Sequence, residues 1–245
     1  GTLTLSGTSS RTNYRRALRN IRYQNTNTDD PSTLTRTVTF QVSDASLNSN
    51  TEMRNITITT LNDPPVLAGI EQSALAFNEG DPQAQISNTV TVTDVDNDNI
   101  SSAFVQITNN YQSGEDVLSF TDTGNITGAF NTAHGTLSLT GTDTKTNYEN
   151  ALRSVSYYNS ETDNPTSSAR TVTLSVNDGE ESGNFLIRDI IVTAVNDPPV
   201  INDTGINTNL EMSAIEIVNI PFETSDVDSE ELIYSAESSN ENIKS

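Results

Sequence analysis

The sequence predicts an all-β protein built from tandem Greek-key β-sandwiches, each with one short inserted helix. Three observations support this fold class: apolar and polar residues alternate in short segments, turn-forming residues separate these segments, and the whole pattern repeats along the chain. Alternation with a period of two is typical of strands with one buried face, and regular short strands are typical of antiparallel sandwiches. Hydrophobic residues make up only 33% of the chain, so we expect thin cores.

The motif Asn-Asp-Pro-Pro-Val occurs at residues 62–66 and again at residues 196–200. The same shift in numbering relates residues 1–8 to residues 135–142, and we call residues related by this shift equivalent. Self-similarity at a fixed period indicates a repeat protein. The sequence therefore predicts the C-terminal part of one repeat at residues 1–62, a complete repeat at residues 63–196 and the N-terminal part of the next repeat at residues 197–245.

The motif itself predicts a joint between repeats. Pro64 and Pro65 each fix a backbone angle and remove a hydrogen-bond donor, so strand pairing stops there and the chain stays extended and stiff. Between the joints, the alternating segments predict strands and the clusters of Asp, Asn and Gly predict turns. Examples of the predicted strands are residues 35–42, 56–59, 89–93 and 171–176, and examples of the turns are residues 122–125 and 177–179.

Residues 12–21 break the alternation, because their apolar side chains recur at the spacing of a helix face. These side chains are Tyr14, Ala17, Leu18 and Ile21. The sequence predicts a helix of two to three turns here, with Thr12 or Asn13 as its N-cap. The same spacing recurs at the equivalent positions of the complete repeat, and we expect each helix to lie across an open end or edge of its sandwich.

The chain carries 33 acidic and 12 basic residues, for a net charge of −21. This charge disfavours nucleic acids and anionic membranes as partners and favours cations. No apolar stretch is long enough for membrane insertion in this segment. Residues 1–62 differ, because they hold seven Arg and four acidic residues. Five of these arginines surround the predicted helix, either as a solvated face or as a patch that meets an acidic neighbouring module or second chain: Arg11, Arg15, Arg16, Arg19 and Arg22.

An acidic pair follows each joint. Asp94 and Asp96 follow the first joint, and Asp226 and Asp228 follow the second. Carboxylates two residues apart in an extended segment point the same way, and several oxygen ligands suit Ca²⁺. The chain has no Cys and one His, which disfavours zinc.

These motifs, taken in order, resemble those of a bacterial cadherin-like repeat, found in large surface or secreted proteins. The resemblance implies an Ig-like or cadherin-like sandwich and Ca²⁺ bound between successive repeats. It assigns the ligands of the first joint as Asn62, Asp63, Asp94, Asp96, Asn99 and Asp178. It assigns those of the second joint as Glu79, Asn196, Asp197, Asp226 and Asp228.

The linkers depart from the pattern of the family. Thr60 and Ala194 stand where the family has an Asp, and Pro64 and Pro198 stand where it has an Asn. With fewer ligands we expect one or two ions per joint, bound with a dissociation constant on the order of 10⁻⁴ M or weaker.

The resemblance implies a calcium-stiffened extracellular adhesion or spacer rod without enzymatic activity, whose partners are neighbouring repeats and, through homophilic contacts, other copies. Two alternatives remain open. One is a noncatalytic accessory module of a secreted enzyme that binds surface polysaccharide, with Tyr111, Tyr157 and Tyr158 as candidate stacking residues, although Tyr157 repeats as Tyr23 and fits a core position. The other is a structural subunit of an extracellular filament, in which the partial end repeats of two chains complete each other.

Overall fold

The computed structural model of the chain describes residues 1–202 and 222–235. Strands account for 38% and helices for 9% of the structure, which confirms the predicted all-β class. The chain divides into two compact units, Gly1–Asp63 and Pro64–Ser245. In the part of the chain that the structure describes, neither helix is long and apolar enough to cross a membrane.

The first unit contains one helix and one strand pair. Helix α1 is Arg11–Arg19, strand β1 is Arg36–Phe40 and strand β2 is Glu52–Ile56. The two strands are antiparallel, with Arg36 opposite Ile56.

The described part of the second unit, residues 64–202 and 222–235, contains most of the described strands and one helix. Its strands are β3 (Val66–Ala68), β4 (Leu75–Asn78), β5 (Ala84–Gln85), β6 (Thr91–Thr93), β7 (Asn99–Asn109), β8 (Asp116–Ser119), β9 (Thr127–Asn131), β10 (Thr136–Thr144), β11 (Ser156–Asn159), β12 (Arg170–Asn177), β13 (Leu186–Thr193), β14 (Val200–Asn202) and β15 (Glu223–Ser225). Its helix is α2 (Lys145–Ser154).

A six-stranded sheet in the order β4-β13-β12-β7-β10-β9 forms one layer of the second unit, and a three-stranded sheet in the order β5-β11-β8 forms another. Two smaller pairs, β3-β6 and β14-β15, complete the described strands. The hydrophobic core gathers side chains from both larger sheets and from α2. It includes Val105 and Leu174 of the large sheet, Leu118 and Tyr157 of the small sheet, and Leu152 of the helix.

One strand pair differs from the predicted antiparallel arrangement. Among the described strands, every pair is antiparallel except β4 and β13, which run parallel. Parallel neighbours need a long connection, and here most of the module lies between them. As a result, the residues that follow β4 and those that follow β13 emerge at the same end of the sheet.

Both helices exist where the apolar spacing predicts them, but the predicted N-caps are wrong. Helix α1 is capped by Ser10, whose hydroxyl accepts a hydrogen bond from the backbone of Asn13 at 3.2 Å. Helix α2 is capped in the same way by Thr144, which accepts from Asn147 at 3.2 Å. The first helical turn carries no apolar side chain, so the apolar spacing does not reveal where the helix begins.

Equivalent residues of the two units form the same tyrosine contact. The hydroxyl of Tyr148 donates to the carbonyl of Gly141 at 2.6 Å, and that of Tyr14 donates to the carbonyl of Gly7. Both glycines have positive φ, and a Cβ on Gly141 would lie 1.9 Å from the carbonyl oxygen of Asn125. Glycine is therefore required at this position of the second unit.

Candidate metal centre

The first acidic turn follows β6 and is built around Asp94, of which only 9% is exposed. Its Oδ1 accepts hydrogen bonds from the backbone N–H groups of Asp96 at 3.2 Å and Asn97 at 2.9 Å. Its Oδ2 is buried and has no hydrogen-bond partner among the described residues. The extended conformation predicted for this segment is thus wrong, because Asp94 bonds to the backbone two and three residues ahead and closes a turn.

The electrostatics of this turn favour a cation. Burial raises the pKa of Asp94, and the hydrogen bond and charge of Asp96 raise it further, although backbone hydrogen bonds from Asn97 and Asp96 act in the opposite direction. Two carboxylates held close together in a partly buried site repel each other when both are charged. A bound cation would remove that repulsion.

Asp178 lies in the turn between β12 and β13 and approaches the same site. Its Oδ1 accepts from the backbone of Glu180 at 2.7 Å and of Glu181 at 2.8 Å. Its Oδ2 accepts from the side-chain amide of Asn97 at 3.4 Å. The resemblance assigns Asn99 as the amide of this site, but Asn99 is exposed at the start of β7, where it pairs with Thr144.

Sequence reasoning missed Lys145, the first residue of α2. Its Nζ donates to the backbone carbonyls of Asp94 at 2.8 Å and Asn97 at 2.6 Å, and it lies 3.7 Å from Oδ1 of Asp98. Two carbonyl oxygens of the turn are thereby engaged by an ammonium group. The sequence contains a signal for this contact. A basic residue is unfavourable in the first turn of a helix, so a Lys at this position indicates that another group binds it.

The two remaining residues assigned to the first joint, Asn62 and Asp63, are the last residues of the first unit. Their assignment to this site stays a prediction.

The second acidic turn, after β15, repeats the geometry of the first. Oδ1 of Asp226 accepts from the backbone of Asp228 at 2.9 Å and of Ser229 at 2.8 Å. The strand pair before it also recurs, because Val200 lies opposite Ser225 as Val66 lies opposite Thr93.

Two carboxylates accept hydrogen bonds from the backbone of the second linker, one on a residue that precedes the linker and one on a residue that follows it. Oε2 of Glu79 accepts from the backbone of Val195 at 2.8 Å, and Oδ2 of Asp228 accepts from the backbone of Asp197 at 2.5 Å. Glu79 reaches the linker because β4 and β13 are parallel, with Asn78 opposite Thr193. Residues before and after the linker are therefore joined through it.

Two carboxylates at this linker each have one oxygen atom that accepts no hydrogen bond from the described residues. Oε1 of Glu79 and Oδ2 of Asp197 are buried and have no hydrogen-bond partner among the described residues. Asn196, by contrast, is exposed and donates its side-chain amide to the carbonyl of Asp197 at 2.9 Å. A further contact that the sequence did not reveal joins Asn164 to the carbonyl of Val227 at 3.3 Å.

No three His, Cys, Asp or Glu side chains within residues 1–202 and 222–235 form a group that could hold a metal ion by themselves. Calcium, however, also takes backbone carbonyls, side-chain amides and water as ligands. Asp94 at the first turn, and Glu79 and Asp197 at the second linker, each have one buried carboxylate oxygen with no hydrogen-bond partner among the described residues. A buried charged oxygen is unfavourable unless it is paired, so these oxygens fit mixed sites of this kind.

The candidate stacking tyrosines are poorly placed for polysaccharide. Tyr157 is fully buried, as its repetition predicts. Tyr111 and Tyr158 are half-buried and pack against the core, and the hydroxyl of Tyr111 donates to the carbonyl of Thr132 at 2.6 Å.

Compared with family models and with curated proteins, the chain matches none of them.

Proposed function

We propose that the chain is part of an extracellular rod of tandem cadherin-like β-sandwiches, in which Ca²⁺ stiffens the joints and the rod serves as an adhesion or spacer segment of a secreted or surface protein. The observation that carries this proposal is the second linker, whose backbone is bound by Glu79 from one side and Asp228 from the other. Joining the end of one repeat to the start of the next is what a stiff joint requires.

Calcium would act on oxygens that the fold already concentrates. Oε1 of Glu79 and Oδ2 of Asp197 flank this linker as buried acceptors without hydrogen-bond donors in the described structure. A divalent cation would satisfy both, and linker carbonyls and water would supply further oxygens. Because the ion would bind the folded joint and not the unfolded chain, it would stabilise the joint by mass action.

Lys145 is expected to weaken calcium binding at the first joint. At the first turn, the ammonium group of Lys145 already binds the carbonyls of Asp94 and Asn97. It removes two potential ligands and adds a positive charge beside the site.

Thermal unfolding of residues 1–245 in EDTA and in calcium tests this function. For a dissociation constant of about 10⁻⁴ M, about 10 mM Ca²⁺ contributes about 2.7 kcal/mol, a rise of several degrees in the midpoint of a chain of this size. The double variant Glu79→Gln/Asp197→Asn is expected to lose this rise. The matched control is Asp189→Asn on the exposed side of β13, where the side chain accepts from Thr171, and it should retain the full rise.

The variant Asp94→Asn supplies a second test, because it should raise the unfolding midpoint in EDTA but reduce the rise that calcium causes. A raised pKa means that the folded chain holds the proton more tightly than the unfolded chain, so the stability contribution is lost as pH rises through that pKa. At neutral pH in EDTA the charged Asp94 therefore costs stability, and Asn should raise the midpoint. In calcium the same variant should gain less from the ion than the parent. An identical midpoint with and without calcium in the parent chain would reject the calcium-stiffened rod.

A further inference from the structure

Residues 1–63 expose a set of apolar side chains whose equivalents in the second unit lie in the core. Leu3 is 66% exposed, whereas its equivalent Leu137 is 2% exposed. Tyr23 is 46% exposed, whereas its equivalent Tyr157 is fully buried. We call this surface the open face and define it by Leu3, Leu5, Tyr23 and Val42 together with Arg19, Arg36 and Arg54.

In the second unit, residues 64–134 cover the equivalent surface by adding strands to it. Strand β7 lies between β10 and β12, and β8 pairs with β11. The counterparts of β10 and β11 in the first unit are residues 2–10 and 22–25, and neither segment is a strand in the structure. Only the counterparts of β12 and β13 persist, as β1 and β2, because these two strands pair with each other.

Three arginines of the second unit bind residues 64–134, and all three recur on the open face. Arg170 is fully buried and contacts both carboxylate oxygens of Asp116, at 3.1 and 3.2 Å. Arg188 donates to the carbonyl of Ser73 at 3.0 Å and pairs with Glu71 at 3.5 Å. The third, Arg153, donates to the carbonyl of Val90 at 2.9 Å.

The counterpart arginine already adopts the bound geometry. Arg36 donates from Nη1 to the carbonyls of Ser32 and Leu34, the equivalents of the Thr166 and Ser168 carbonyls that Nη1 of Arg170 contacts. The guanidinium group is thus held in the same way in both units, and in the second unit its Nε meets a carboxylate from the covering segment.

The charges of the two surfaces are complementary. Residues 64–134 contain nine acidic residues and no Lys or Arg. Residues 1–62 contain seven Arg and four acidic residues. On helix α1, Arg15 stands where α2 has Glu149, whose carboxylate accepts a hydrogen bond from the backbone of Val92 at 3.3 Å, so this one contact with a covering segment does not recur in the first unit.

We propose that the open face binds one kind of partner: an acidic segment of the same repeat type as residues 64–134. This partner adds strands next to β1 and to residues 2–10, buries the apolar side chains, and places an acidic pair like Glu115 and Asp116 against Arg36. The proposal stands independently of calcium binding.

One position of the first unit clashes with a covering segment that has the sequence of residues 64–134. In the second unit the carbonyl of Pro65 approaches Gly183 so closely that a Cβ there would lie 2.1 Å from its oxygen. Ser49 occupies the equivalent position in the first unit. A covering segment with the sequence of residues 64–134 therefore fits best when Ser49 is replaced by Gly.

The test is a fusion that places an extra copy of residues 64–134 directly before Gly1 of the full chain carrying Ser49→Gly. This joint reproduces the connection between His134 and Gly135. Amide hydrogen exchange in β1, β2 and residues 2–10 should slow by at least about tenfold relative to the unfused S49G chain, towards the rates of β12, β13 and β10. A protected backbone at residues 2–10 would identify the newly formed strand.

Two variants of the fusion separate specific docking from general collapse. Arg36→Gln should reverse the protection in the fusion. In the unfused chain it should speed exchange by less than about fivefold, because it removes only the bonds of Arg36 to the carbonyls of Ser32 and Leu34. Glu115→Gln/Asp116→Asn, made only in the added copy, should have the same effect as Arg36→Gln, and Asp122→Asn in the added copy is the control that should not.

Exchange rates in residues 1–62 that stay the same with and without the added copy would overturn the proposal. Protection that appears in the unfused chain as its concentration rises, with a matching increase in sedimentation coefficient, would also overturn it. That result would assign the open face to a second copy, for example to the acidic residues 197–245.

Discussion

Residues 1–62 and residues 135–196 share a helix, its cap and a strand pair, but they differ strongly in burial. In both, the helix is capped by a hydroxyl that accepts a hydrogen bond from the backbone of an Asn three residues later. Both also have a Tyr hydroxyl that donates to a Gly carbonyl and a strand pair in which an Arg lies opposite an Ile. Yet no residue of α1 is buried, whereas Tyr148, Ala151 and Leu152 of α2 are. Caps, turns and hairpins therefore depend on nearby sequence, and burial depends on whether residues like 64–134 lie on top.

The largest expected difference between the two copies concerns the paired arginines. Arg170→Gln leaves Asp116 charged and buried, and breaking a buried ion pair in this way costs about 3–5 kcal/mol. Arg36→Gln should lower the unfolding free energy by less than about 1 kcal/mol, since Arg36 is only half-buried. Urea unfolding of the two variants checks this prediction. Equal losses would mean that Arg36 already has a buried acidic partner.

The next effect concerns the helix faces. Leu152→Ala empties a fully buried site and should lower the unfolding free energy by about 3 kcal/mol. Leu18→Ala, at the equivalent half-buried position of α1, should lower it by less than about 1 kcal/mol. Calorimetry on both variants measures the ratio. A Leu18 effect as large as that of Leu152 would contradict the view that α1 lacks a packed core.

A smaller, pH-dependent effect concerns Glu71, which pairs with Arg188 in the second unit only. Burial alone would raise the pKa of Glu71, but hydrogen bonds from Asn88, Ser87 and neighbouring groups lower it from 4.5 to about 2. A lowered pKa means that this stability is present above pH 4.5 and is lost as pH falls through about 2.

Its size is about 2 kcal/mol after allowance for partial exposure. The measurement is the unfolding free energy between these two pH values for the parent and Glu71→Gln chains, and their difference should shrink on acidification. A difference that stays constant with pH would show that Glu71 acts through packing and not through its charge.

The smallest effect should be equal in the two copies. Ser10→Ala and Thr144→Ala each remove one capping hydrogen bond, at 3.2 Å in both cases, and each should cost about 1 kcal/mol of helix stability. Amide exchange in the first turn of α1 and of α2 reports this local change. Unequal effects would show that the caps depend on tertiary packing and not on nearby sequence alone.

Part of the candidate site was predictable from residue spacing. The two Asp-x-Asp pairs were recognisable because they recur after each joint, and Asp178 does reach the first turn through Asn97. The contacts of Lys145 with the carbonyls of Asp94 and Asn97 were not predictable, because they depend on how the turn after β6 meets the first turn of α2. Contacts between segments that are distant in sequence leave no periodic signal.

The sequence by itself determined the all-β class, the two helices and the constant shift in numbering that relates equivalent positions. These properties follow from local alternation, helical spacing and self-similarity, which act over a few residues at a time. Only the tertiary structure decided that β4 and β13 are parallel and that Glu79 therefore binds the backbone of the second linker. It also decided that one carboxylate oxygen of Asp94 is buried. The physical reason is that strand order and burial result from the packing of distant segments, so the same local pattern is buried in one copy and exposed in the other.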